Sequence, residues 1–209
     1  TIHERESKAT QTIVQKIYKW YSVAAAVLLI PFLIAGSIWF IEQKAENSVT
    51  TENPVITTLF APMGSRINFT LPDGTEGWLN SGSSLEYQIP FNENRQIAMK
   101  GEAWFHVAND ETNPFEISVG NSKVKVLGTK FNMNAYPEEN YVEVVLEEGK
   151  VEFTAPGIAS VVEMKPDERL ISTEDSVHIG YTEPEKYSAW KEGKLVFRGD
   201  PMEEVVRRI

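Results

Sequence analysis

One stretch of 21 residues without a charged side chain, from Tyr21 to Ile41, constrains this chain more than any other feature. As an α-helix rising about 1.5 Å per residue it would extend roughly 31 Å, which matches the roughly 30 Å hydrocarbon core of a bilayer. Eleven of its residues are Val, Leu, Ile or Phe, and the residues after it lack the pattern of a signal-peptide cleavage site. We therefore predict a single transmembrane helix over residues 21–41, with aromatic residues at the membrane interface: Tyr18, Trp20, Tyr21 and Trp39.

The charges on either side of this stretch predict its orientation. Lys16 and Lys19 lie shortly before it, whereas residues 42–54 contain Lys44 and three glutamates. By the positive-inside rule, residues 1–20 form a cytoplasmic juxtamembrane segment, residues 42–54 a linker on the opposite side, and the remainder is exported. We expect a single-pass protein of a bacterial inner membrane that contacts the lipid bilayer and has its C-terminal part in the periplasm.

The composition argues against several classes of function. Thirty acidic against twenty basic residues give a net charge of −10, which disfavours binding to nucleic acid. Because the chain has no cysteine, a disulfide scaffold, a thiolate zinc site, an iron–sulfur cluster and a cysteine nucleophile are excluded. The three histidines, His3, His106 and His178, are far apart in sequence. We expect no metal site, no cofactor and no nucleic-acid partner.

The chain is predicted to be mainly β, and residues 55–182 have the pattern of an all-β domain. Ile67, Phe69 and Leu71 alternate with polar neighbours, which is the period-2 pattern of a half-buried strand. Similar runs recur at intervals of about 8–12 residues, as in a sandwich, a barrel or a solenoid-like stack, and we favour a sandwich or solenoid-like fold. The predicted strands are 55–60, 66–71, 76–79, 95–99, 103–107, 115–119, 123–127, 130–135, 141–146, 150–154, 160–164 and 168–172.

The last residues, 183–209, predict a linker and the start of a small α+β domain. A strand is expected over 194–198, and Asp200 with Pro201 can begin a helix after it. This strand–helix unit is apolar on one side and too short to bury that side by itself. We therefore expect its apolar side chains to contact a further domain or a partner protein: Leu195, Phe197, Met202, Val205 and Val206.

Candidate catalytic groups are few. Glu102, Trp104 and His106 share one face of a predicted strand, so that a carboxylate and an imidazole could lie close together. A solvated strand face explains the same pattern, and we favour it because no third group is implied. The pairs at 138–139 and 147–148 are better explained as solvated turns than as calcium ligands. The sequence contains none of the common hydrolase, metalloprotease or nucleotide-binding motifs, and we predict no catalytic residue.

The order of motifs from RINFTLPDGTEGWLN through KGEAWFHVAND and KVLGTKFNMNAYP to VEVVLEEGKVEF resembles the FecR-type family of membrane-bound anti-sigma factors, in the form found in Bacteroidetes. The match covers about residues 55–181. In this family such positions are turns, core residues and strand starts, so the resemblance implies a fold-specifying role for ten of them: Pro72, Asp73, Gly74, Asn80, Gly101, Glu102, Phe105, Gly128, Phe131 and Gly149.

The resemblance implies a non-catalytic signalling role. Such regulators hold an extracytoplasmic-function (ECF) sigma factor on the cytoplasmic side. They receive their signal from the N-terminal domain of an outer-membrane TonB-dependent receptor. Residues 1–20 are shorter than the family's sigma-binding region, so we expect this chain to be partial and to sense rather than to inhibit. Two other functions stay open, a membrane-tethered periplasmic carbohydrate-processing enzyme and an envelope scaffold module.

Overall fold

A computed structural model describes residues 33–39, 55–91, 94–158, 160–197, 199 and 201–207. The chain divides into two compact units, Thr1–Glu52 and Asn53–Ile209. In the first unit, residues 33–39 form a helix whose side chains are exposed, Trp39 among them. Tyr18, Trp20 and Tyr21 lie outside the described residues.

The prediction of a transmembrane helix over residues 21–41 is corrected. Within the described residues no helix is both long enough and apolar enough to cross a membrane. Residues 21–32 and 40–41 lie outside the described residues.

In the part of the second unit that the structure describes, thirteen strands form one continuous sheet. Every pairing is antiparallel except that of β5 with β6. The strands are β1 (Val55–Phe60), β2 (Ile67–Thr70), β3 (Glu76–Leu79), β4 (Ser84–Ile89), β5 (Gln96–His106), β6 (Phe115–Val119), β7 (Ser122–Val126), β8 (Lys130–Ala135), β9 (Val142–Glu148), β10 (Val151–Thr154), β11 (Val162–Met164), β12 (Glu168–Ser172) and β13 (Val177–Tyr181).

Strand β5 belongs to both halves of this sheet. Its first part pairs with β4 and β6, and its second part with β3 and β8. The first half-sheet therefore has the order β1-β4-β5-β6-β7-β10-β11, and the second half-sheet the order β2-β3-β5-β8-β9-β12-β13. The change of partners falls at Gly101, which has a φ of 90°. The sheet thus turns on β5 into a half-barrel-like arrangement.

One hydrophobic core lies between the two half-sheets. Phe105 on β5 stacks on Phe131 of β8, with ring centroids 5.2 Å apart, and also lies 6.3 Å from Phe115 of β6. All three side chains are fully buried. Because β6 belongs to the first half-sheet and β8 to the second, Phe105 joins the inner faces of both. The alternation of buried and exposed residues along β5 places Glu102, Trp104 and His106 on its outer side.

The predicted sandwich or solenoid-like stack is therefore wrong, because the two half-sheets share strand β5 and so form one continuous sheet. The runs 95–99 and 103–107, predicted as two strands, are one strand of eleven residues. The small α+β unit is also corrected. Residues 194–197 form no strand, and Arg198 and Asp200 lie outside the described residues. After Pro201 the chain forms the helix Met202–Arg207.

Candidate partner-binding surface

The predicted turn residue Asp73 is the centre of a buried polar cluster. Its carboxylate accepts hydrogen bonds from the backbone and the hydroxyl of Thr75, at 2.9 and 2.8 Å, which closes the turn at Pro72-Asp73-Gly74. The same carboxylate forms an ion pair with Arg95 at 2.8 Å, and the two side chains are only 6% and 2% exposed. Asp73 therefore holds both its own turn and the distant Arg95, and the fold-specifying role that the resemblance implies for it stays a prediction.

Arg95 was not singled out from the sequence. Besides Asp73, its guanidinium donates to the carbonyl oxygens of Asn113, at 2.8 Å, and Ala108, at 2.6 Å. It also lies over the ring of Phe115, 5.4 Å from the centroid. One side chain thus connects the turn after β2 to the loop between β5 and β6. Its partners are 13 to 22 residues away in sequence, so no local pattern marks it.

The outer side of the second half-sheet carries an amide–carboxylate network. Glu102 accepts hydrogen bonds from the side-chain amides of Asn80, at 2.6 Å, and Asn132, at 2.9 Å. These contacts join β5 to β8 and to the residue that follows β3. His106 lies on the same side and is exposed. Within the described residues, no group of three His, Asp or Glu side chains is placed to hold a metal ion.

Of the other residues for which the resemblance implies a fold-specifying role, Phe105 and Phe131 lie in the core. The glycines have a positive φ or a close neighbour. Gly74, Gly101 and Gly149 have φ values of 85°, 90° and 94°. Gly128 lies so close to Asn109 that a Cβ on it would be 2.5 Å from Oδ1 of that residue.

A short segment near the C-terminus docks on the outer side of the second half-sheet. It consists of an α-helical turn, Glu185–Ser188, and a 3-10 turn, Ala189–Glu192, and it ends at Gly193. Pro184 precedes it with a φ of −59°, the value its ring imposes and a helix requires. We call residues 185–193 the docked segment. Tyr187 and Trp190 are buried, and they are its two aromatic anchors.

Each anchor of the docked segment contacts polar groups of the sheet domain. The indole N–H of Trp190 donates to Oδ1 of Asn132 at 3.0 Å, in a buried hydrogen bond. The carbonyl oxygen of Trp190 accepts a hydrogen bond from the guanidinium of Arg66. The ring of Tyr187 lies under the guanidinium of Arg169, 4.9 Å from its centroid. The docked segment is therefore held by polar and cation–π contacts together with the burial of its two aromatic rings.

Lys191 adds a further contact at the edge of the docked segment. Its ammonium lies 3.6 Å from the centroid of the Trp104 ring, and the indole N–H of Trp104 donates to Glu147 at 2.8 Å. Burial lowers the pKa of Lys191, and the nearby carboxylates of Glu147 and Glu192 oppose part of that shift. Burial likewise raises the pKa of Tyr136, whose hydroxyl donates to the Ser81 carbonyl.

A cavity of about 630 Å³ lies between the docked segment and the sheet. Its walls are polar and of mixed charge, and they include Arg66, Asn80, Glu102, Tyr136, Glu139 and Lys186. Several of these groups already bond to one another or to the backbone, as Asn80 does to Glu102. The cavity is thus a gap with largely polar walls beside the docked segment.

The five predicted partner-binding residues follow the docked segment. Leu195, Met202 and Val206 are 52%, 74% and 68% exposed. Phe197 and Val205 are half-buried. Met202, Val205 and Val206 belong to the short helix, whereas Leu195 and Phe197 lie in irregular chain. Partner binding at these residues stays a prediction.

Comparison with known proteins agrees with this arrangement. The family model described as FecR protein matches residues 57–152. Two crystal structures of a candidate anti-sigma factor from Parabacteroides distasonis, at 2.50 and 1.65 Å resolution, are 34% identical to this chain. They superpose with TM-scores of 0.67 and 0.66, over 74% and 73% of this chain and 73% and 72% of theirs. No curated protein matches the sequence.

The FecR match spans β1 to the beginning of β10, which includes the Asp73 turn, Arg95 and the amide–carboxylate network around Glu102. A likeness at 34% identity over nearly three quarters of both chains concerns the sequence as well as the fold. The chain therefore belongs to the FecR-type family of anti-sigma factors, regulators that are generally not enzymes.

Proposed function

We propose that this protein relays a signal from the N-terminal domain of an outer-membrane TonB-dependent receptor to an ECF sigma factor in the cytoplasm. One observation carries this proposal: the sequence and fold similarity to the FecR family and to a candidate anti-sigma factor of known structure. In the proposal the sheet domain lies in the periplasm, beside the inner membrane, where the receptor domain can reach it.

The apolar residues after the docked segment are the proposed contact for the receptor domain. Leu195, Met202 and Val206 expose large apolar side chains on a protein of net charge −10. Exposed apolar groups that lie close together in the chain are typical of protein-binding surfaces. Half-buried Phe197 and Val205 belong to the same stretch, 195–206, so a partner that binds there would contact or rearrange both.

A reporter for sigma-dependent transcription tests this surface in the host cell. We expect the double variant Phe197→Asp, Val205→Asp to abolish induction by the inducing signal, because two carboxylates cannot be buried against an apolar partner without a large desolvation cost. Levels of the variant protein, measured by immunoblot, should stay as in the unchanged protein.

Val161→Asp is the matched control. Val161 is 52% exposed and precedes β11. The substitution therefore places the same kind of charge on an exposed apolar site elsewhere in the domain. Normal induction in the control together with normal induction in the double variant would reject the surface at 195–206. Loss of induction in both variants would also reject it, because the effect would then follow from charge alone.

A further inference from the structure

The docked segment has almost no stability of its own. Its two turns contain four residues each, and helices this short do not persist in water without tertiary contacts. Its conformation therefore depends on its contacts with the sheet, among them those of Tyr187, Trp190 and Lys191. When those contacts are lost, the segment unfolds as one piece.

The surface under the docked segment differs from the core between the half-sheets. The core is built mainly of apolar side chains. Under the docked segment lie Asn132 and Glu143, which are 2% and 6% exposed, together with Arg169. Release of the docked segment exposes the rings of Tyr187 and Trp190, whereas separation of the half-sheets exposes the whole apolar core. The polar groups exchange their protein partners for water at a small net cost. Separation is therefore far less costly here than between the half-sheets.

The sheet keeps its own polar contacts when the docked segment leaves. The Asn132 amide donates to Glu102, and Glu143 is paired with Arg169 on the neighbouring strand. Asn132 Oδ1 loses the indole N–H of Trp190 but becomes accessible to water. No buried charge on the sheet is thus left without its partner by the loss of these segment contacts.

We propose that the docked segment is a releasable latch, which detaches from the second half-sheet as a unit while the sheet domain stays folded. The apolar residues from Leu195 to Val206 follow it directly, so its release allows them to move away from the sheet. The inference that the docked segment detaches is argued only from its contacts with the sheet. The inference that detachment serves signalling rests on the proposed function.

Thiol labelling measures this release directly, because the chain has no cysteine. Ser188 lies in the docked segment and Ser172 on β12, and each is 5% exposed. In the full chain, we expect the thiol of Ser188→Cys to react with a maleimide or dithio reagent about tenfold faster or more than that of Ser172→Cys. Low urea should accelerate the Ser172→Cys reaction steeply and the Ser188→Cys reaction little, because a local opening exposes little surface.

A second substitution tests which contact holds the latch. Adding Trp190→Phe to Ser188→Cys removes the hydrogen bond to Asn132, and we expect labelling to accelerate about fivefold or more. Tyr87→Phe, which removes a ring hydroxyl on β4, should leave the rate unchanged. Tyr87 lies in the first half-sheet and pairs with Ile97 in the first part of β5, away from the strands that contact the docked segment.

Equal labelling rates with equal urea dependence at positions 188 and 172 would overturn the latch, since the docked segment would then open only with the whole domain. Should either cysteine variant fail to fold, hydrogen exchange of the unchanged chain compares the amides of residues 185–193 with those of β8 and β12. Faster exchange with low urea dependence supports the latch, and uniform exchange rejects it. Fast labelling at position 188, combined with affinity capture that recovers neither a sigma factor nor a receptor domain, would retain the latch and reject the relay.

Discussion

Replacing Arg95 by methionine is expected to lower the free energy of unfolding by about 3–5 kcal/mol, measured by urea denaturation of the full chain. The substitution leaves the Asp73 carboxylate buried without its ion-pair partner, and it removes the donors of the Asn113 and Ala108 carbonyls. Methionine fills a similar volume, so the loss arises mainly from the unpaired charge and the unsatisfied oxygens.

Lys150→Met is the control for this prediction. Lys150 forms an ion pair with Glu163 at 2.9 Å, but both side chains are about 60% exposed. Exposed pairs contribute little because water and salt screen them, so stability should remain close to that of the unchanged chain. A loss in Arg95→Met no larger than that in the control would contradict the central role given to the Asp73–Arg95 pair.

Gly101→Ala is expected to destabilise the domain by about 2–5 kcal/mol in the same assay. Gly101 lies where β5 passes from one half-sheet to the other, and its φ of 90° is a conformation that side chains with a Cβ rarely adopt. An added Cβ would also lie 2.3 Å from Oγ and 2.8 Å from Cα of Ser83. The Ser83 hydroxyl accepts a hydrogen bond from the Glu102 amide, so it cannot move freely.

Substitutions at two other glycines distinguish the two causes of this loss of stability, the backbone strain and the close contact with Ser83. Gly64 has a φ of 76° but open space around its Cβ position, so Gly64→Ala should cost only the backbone strain of about 1–2 kcal/mol. Gly180 has neither a positive φ nor a close neighbour, so a Gly180→Ala variant should be nearly unchanged. If Gly101→Ala loses no more than Gly64→Ala, the close contact with Ser83 does not matter.

Several strands could be predicted from sequence because their signal is local. Strands β1, β3, β6, β8 and β12 have the predicted bounds, since β-branched and aromatic residues between turn residues suffice to mark them. The long strand β5 was split because Gly101 suggested a reversal, whereas it bends the strand. Strands β4 and β13 were missed. β13 is exposed at four of its five residues and so lacks a buried face to reveal it.

The contacts of the docked segment and of Arg95 could not be predicted from the sequence in the same way. The contact of Trp190 with Asn132 joins residues 58 positions apart, and Arg95 finds its partners on separate loops. The local sequence around Trp190 is polar and resembles a linker. Its burial depends on an amide–carboxylate network that forms only when β3, β5 and β8 align. The resemblance to the FecR family, by contrast, named Asp73, Asn80 and Glu102, which the structure places in these polar contacts; their fold-specifying role stays a prediction.

The central claim is that this protein connects a receptor domain to a sigma factor. Affinity capture of the tagged protein from detergent extracts of its own host, with identification by mass spectrometry, tests that claim most directly. We predict that an ECF sigma factor and the signalling domain of a TonB-dependent receptor are recovered with it, and that the receptor is lost with Phe197→Asp, Val205→Asp. Recovery of neither protein, under conditions that retain the unchanged fold, would contradict the account.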